Sequence, residues 1–86
     1  MEVFKKEIMN ALKKHIKSKI TLETPPDSKL GDYAFPCFGL AKQLKKSPIE
    51  IAKDLALKLN PNKHIKEIKS TGPYVNFFVN ERIISW

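Results

Sequence analysis

Thr71–Asn80 reads TGPYVNFFVN, the most apolar and aromatic ten-residue window of the chain. A Gly-Pro pair opens it, and Asn80, a residue that can cap a helix, closes it. Between them, Tyr74–Val79 has the aromatic and β-branched composition of a strand. Successive side chains on a strand point to opposite faces. Val75, Phe77 and Val79 therefore share one uniformly apolar face, which belongs against a core. Tyr74, Asn76 and Phe78 share the other. A ring and an amide two residues apart on one face can stack on a nucleobase and bond to its edge. The same pattern also fits a central strand with both faces partly covered, in which Asn76 is a satisfied core amide.

Working back from this strand, Ser70–Pro73 reads as a tight turn and Ile65–Lys69 as a partner strand, so the pair forms a hairpin. Ile65 and Ile68 have opposite parity, which predicts a bulge or a late strand start. Ser47-Pro48-Ile49-Glu50 is a clear helix start. Ser47 caps, Pro48 fills the first helical position and Glu50 completes a capping box. The helix is expected over 48–59, burying Ile51, Ala52, Leu55, Ala56 and Leu59, and Asn60-Pro61-Asn62 stops it. Tyr33 and Phe35 alternate as in a short extended piece, after which Pro36 suits the first turn of another helix. Cys37, Leu40, Ala41 and Leu44 form its apolar stripe, and Lys42, Lys45 and Lys46 crowd its end, where positive charge favours the helix dipole.

At the start of the chain, Phe4, Ile8, Leu12 and Ile16 recur every four residues, with Met9 and Ala11 beside them. This predicts an amphipathic helix over 2–17 with Lys6, Lys13, Lys14 and Lys17 opposite and His15 at the surface. Ser18–Glu23 alternates as a short strand, and the tandem prolines of Thr24–Ser28 make a loop. Asn80–Trp86 starts a further helix whose Ile83, Ile84 and Trp86 have no continuation to pack against, as in a piece of a longer protein. The fold class is α+β: a small, mainly antiparallel sheet packed against about three helices.

The 86 residues form one domain with a formal net charge of +7. Fifteen of the basic residues are Lys and only Arg82 is Arg. Such a balance points first to nucleic acid, through diffuse phosphate attraction rather than bidentate base reading. A lysine-rich background without any ligand is the bland alternative. Cys37 is the only cysteine, so no intrachain disulfide forms. Cys37, His15 and His64 do not make a metal site. No apolar run approaches membrane-spanning length, and the N-terminus lacks the apolar centre of a signal peptide. A cytoplasmic protein without membrane association is expected. The three glycines, at 31, 39 and 72, form no phosphate loop, and no nucleophile–base constellation is recognisable. The chain offers no catalytic residue.

GDYAFPCFGLAKQLKKSP (Gly31–Pro48), IEIAKDLALKL (Ile49–Leu59) and TGPYVNFFVN together resemble the N-terminal domain of arginyl-tRNA synthetases. The segments occur in the same order and at similar distances, and the leading amphipathic helix suits the family. The resemblance implies an α/β domain that docks on the outer corner of tRNA(Arg) and contacts the D-loop. It implies that the aromatic residue and the amide of the GP-aromatic-x-N motif, here Tyr74 and Asn76, pack on and read a D-loop base. Thr71, in the turn before them, assists. Lys13, Lys17, Lys42, Lys45 and Lys46 are candidate phosphate contacts. The expected organisation is a tRNA-binding domain over 1–80, with 81–86 beginning a linker helix toward a class I catalytic domain. ATP with magnesium would be used only there, since this chain lacks the signature motifs for it. Two alternatives remain at this point: a free-standing homologue acting as a protein-interaction adaptor, or a general RNA-binding module.

Overall fold

The computed structural model describes residues 2–17, 19–62 and 64–79. Its elements are α1 (Glu2–Lys13), a 3-10 turn (Ser28–Leu30), β1 (Tyr33–Pro36), α2 (Phe38–Leu44), α3 (Pro48–Lys58), β2 (Ile65–Thr71) and β3 (Tyr74–Val79). The strands form one antiparallel sheet in the order β1-β3-β2, so the aromatic strand is central. The α+β expectation holds. The start of a helix expected at Asn80–Trp86 lies outside the described residues.

The core is what the two periodicities require. Val75, Phe77 and Val79 are buried from the sheet, and Phe4, Ile8, Leu12 and Ile16 from the N-terminal stripe. Ile51, Ala52, Leu55 and Leu59 are buried from α3 in the same cluster. α3 packs on β2 and β3, α2 packs on α3, and α1 reaches β2. His64 helps to fix α1: its Nδ1 lies 3.3 Å from Glu7 Oε1. Its ring also packs edge-on against Phe4, with centroids 6.3 Å apart.

The expected bulge is present. Pairing shifts between Ile65 and Glu67, so Ile65 faces Val79 while Ile68 faces Phe77. The extra residue lets both isoleucines reach the core side despite their parity. Asn62 sets the start of β2, its Oδ1 accepting from the amides of His64 at 2.8 Å and Ile65 at 2.9 Å. The β2–β3 hairpin closes through the two residues between Thr71 and Tyr74. Gly72 takes φ 55, the positive angle that a tight hairpin demands at its first loop position.

The Gly-Asp pair ahead of β1 holds β1 to β3. The Asp32 amide donates to Phe77 O at 2.9 Å, and Asp32 Oδ2 accepts from Val79 N at 2.9 Å. Gly31 approaches so closely that a Cβ would stand 2.9 Å from Phe77 O, and its φ is +107. A side chain there would clash and strain the backbone. Burial, and after it the Asp32 charge, raises the Tyr33 phenol above its ordinary value.

Several expectations shift. α1 ends at Lys13 rather than 17, and a closing turn follows in which the amides of His15 and Ile16 both donate to Leu12 O. That turn still delivers Ile16 to the core. The strand expected at 18–23 reduces to one bridge, Glu23 with Ala34, bonded in both directions at 2.8 and 2.7 Å. Pro36 ends β1 instead of opening a helix. β1 lies at a sheet edge, where a residue without an N–H is tolerated. Leu44, assigned to the buried stripe of α2, is 53% exposed, because the last turn of this seven-residue helix runs past the core.

Ser47 is the N-cap of α3, its Oγ accepting from Ile49 N at 3.2 Å. Among the described residues Glu50 makes no return bond to the Ser47 amide, so the capping box is half made. Ser47→Ala should lower stability by ~1 kcal/mol. Urea denaturation reads this directly, and an unchanged midpoint would show that the hydroxyl contributes nothing.

Candidate nucleic-acid interface

The register of β3 assembles the outer face of the sheet. Tyr74 stands between Pro36 of β1 and Thr71 of β2, and Asn76 stands between Ala34 and Lys69. Alternation places Phe78 one step further on, opposite Glu67. Tyr74 and Phe78 are both partly buried and Thr71 is exposed.

Asn76 differs from a simple exposed reader. It is 4% exposed, a polar side chain buried within the sheet. Its Nδ2 donates to Thr71 Oγ1 at 2.9 Å. The outer face is therefore not open along its whole length, as the alternation alone allowed. Asn76 lies low in it, and the exposed Thr71 hydroxyl stands over it with one lone pair engaged. Because the Thr71 oxygen is the acceptor in this bond, its O–H remains a donor.

Two further aromatic contacts border this face. Phe38, the first residue of α2, meets Tyr74 edge to face, with centroids 5.7 Å apart and planes at 86°. Lys69 Nζ lies 6.0 Å from the centroid of the Phe78 ring and 3.3 Å from Glu67 Oε2. Phe38 lies off the apolar stripe of its helix, and an exposed aromatic residue there is the signal that could have found it. The reading by stripe passed over it.

The candidate phosphate contacts are all exposed but do not form one cluster. Lys17 and Lys46 line a common groove of about 310 Å³ with His15 and Lys58, floored by Leu40, Ile51 and Leu55. Lys42 and Lys45 sit at the end of α2, and Lys13 ends α1. Lys42 follows Phe38 by one helical turn, about 6 Å along the axis.

No group of three or more His, Cys, Asp or Glu among the described residues could hold a metal. Cys37 is fully buried, and burial pushes its thiol up to about 11, so it stays protonated at neutral pH. No helix among the described residues is long and apolar enough to cross a membrane.

This arrangement has close relatives. The family described as Arginyl tRNA synthetase N terminal domain matches residues 2–79. The chain belongs to the arginyl-tRNA synthetase N-terminal domain family. It is 46% identical over 87 aligned residues to an arginine–tRNA ligase of Clostridium kluyveri, covering 95% of this chain and 15% of that protein. It is 44% identical to an arginine–tRNA ligase of Clostridioides difficile, covering 94% of the chain and 15% of the relative. Among solved structures, Thermus thermophilus arginyl-tRNA synthetase superposes with a TM-score of 0.76 at 31% identity, covering 95% of this chain and 14% of that one. This arginyl-tRNA synthetase N-terminal domain therefore spans about 15% of the curated relatives it matches.

Proposed function

We propose that this domain binds tRNA(Arg) at the D-loop and supports ATP-dependent arginylation by a catalytic domain that follows it in the same protein. The observation that carries the reading is the convergence of Tyr74 and Asn76 of the central strand with Thr71 of β2 on the outer face of the sheet. Tyr74 supplies a ring face, on which a base stacks. Thr71, held by Asn76, supplies an exposed hydroxyl beside that ring for the base edge. A donor–acceptor pair beside a ring discriminates between bases, whereas the ring alone does not. Asn76 acts in this reading both as a contact and as the positioning residue of Thr71.

The charge has a separate role. Exposed lysines attract phosphates without reading sequence, and each phosphate contact steepens the salt dependence of binding. Lys13→Ala combined with Lys17→Ala should weaken binding to every tRNA alike and make the salt slope shallower. Fluorescence titrations at several salt concentrations test this. A salt-independent affinity would remove the lysines from the interface.

The reading as a whole is tested by titrating the chain with tRNA(Arg), with tRNA(Arg) carrying substitutions of single D-loop bases, and with unrelated tRNAs. Preference for the first, lost with one D-loop substitution, supports D-loop recognition. Equal binding to all of them would leave a general RNA-binding module.

A further inference from the structure

Phe38 is 51% exposed, and the buried face of its helix is carried by Leu40 with Cys37 just ahead. Single exposed apolar residues are ordinary and assign nothing by themselves. Phe38 is distinguished by its contact: its ring stands at 86° to that of Tyr74, 5.7 Å away. Two rings at right angles make a corner. A planar base stacked on one ring presents its edge to the other, the geometry that aromatic quadrupoles favour.

Gly39 follows directly. A Cβ added there would meet nothing within 4 Å, and its φ lies outside the positive range held by Gly31 and Gly72. Neither space nor backbone conformation calls for glycine, and glycine weakens a helix. Beside it runs an open trough of about 460 Å³, lined among others by Lys19, Thr21, Pro36, Gly39 and Gln43. Pro36, which pairs with Tyr74 across the sheet, forms part of its wall, and Gly39 directly follows Phe38. The trough combines one cation and two polar side chains with the apolar Phe35 and Leu40 and a bare stretch of helix, which suits a ribose face and its phosphate. The net charge of +7 gives the same preference for a polyanion.

We propose that Phe38 is the second aromatic wall of the nucleotide site on Tyr74, and that Gly39 keeps the trough beside it open for the adjoining ribose-phosphate. This rests on the reading of Tyr74 as the platform for a base. Phe38 then confines the base, and Lys19 meets the phosphate.

The test is the affinity of the chain for tRNA(Arg) with Phe38→Ala, Phe38→Leu, Gly39→Ala and Tyr74→Ala, alongside thermal melting of each. Phe38→Leu keeps apolar volume without the ring and guards against loss of fold. Both Phe38 variants should bind about five-fold or more weakly while staying folded. Gly39→Ala should melt at a higher temperature yet bind more weakly, an opposition that a purely structural glycine would not produce. Phe38→Leu binding as wild type, with Tyr74→Ala impaired, overturns the second wall and leaves the Tyr74 platform standing. Wild-type binding by Gly39→Ala overturns the trough. Wild-type binding by folded Tyr74→Ala removes the platform itself, and this proposal with it.

Discussion

Phe77→Ala is expected to destabilise the domain by ~3–5 kcal/mol. Phe77 is 0% exposed and heads the fully buried side chains by volume. It lies on the central strand, paired with Tyr33 on one side and Ile68 on the other. Truncation removes the ring's transfer free energy and leaves a cavity. The surroundings cannot close it easily, because the backbone of Phe77 is held by the Asp32 amide and pressed by Gly31. Domains of this length have a total stability of about 4–13 kcal/mol, so the loss is a large share of it. Urea or thermal denaturation measures it. A loss below ~1 kcal/mol would mean that the central strand does not carry the core.

Tyr74→Ala is expected to weaken tRNA(Arg) binding about ten-fold or more while the chain stays folded. Base–aromatic stacking is worth ~1–3 kcal/mol by alanine substitution, and ~1.4 kcal/mol is one decade of affinity. The fold should tolerate the change because Tyr74 is on the outer face and only partly buried. Tyr74→Phe should be milder, since the ring face survives. Asn76→Ala should behave differently. It removes the bond to Thr71 as well as a polar atom, so it should cost ~1 kcal/mol of stability in addition to flattening discrimination between D-loop bases. Folded Tyr74→Ala with unaltered affinity would move the RNA surface to the lysine-bearing helices.

The fold was legible wherever one periodicity dominated. The spacing of Phe4, Ile8, Leu12 and Ile16, and the alternation of Val75, Phe77 and Val79, name the buried faces without any structure. The parity conflict between Ile65 and Ile68 announced the bulge, because two apolar residues of one strand cannot otherwise share a face. What failed was set by partners distant in sequence. Glu23 bonds Ala34 at a single bridge, so the alternation around Ile20 and Leu22 lacks a full ladder. Pro36 was ambiguous because proline suits both a first helical turn and a strand edge. Leu44 sits on the right stripe but beyond the reach of the core.

At the site, the grouping of Tyr74 and Asn76 follows from strand parity, and the register adds Thr71 to it. The burial of Asn76 does not follow from parity. It depends on the central position of β3 and on the bond to Thr71 five residues away. The approach of Phe38 to Tyr74 crosses 36 positions of sequence and is visible only once the strands pair.

The central claim is that RNA meets the outer face of β3. It is tested most directly by titrating the isotopically labelled chain with tRNA(Arg) and following its NMR signals residue by residue. The Asn76 side-chain amide, the Thr71 and Tyr74 backbone amides and the aromatic protons of Tyr74 should shift first and most. Shifts confined to lysine-bearing α1 and the end of α2, with the Asn76 and Tyr74 signals unmoved, would contradict the account.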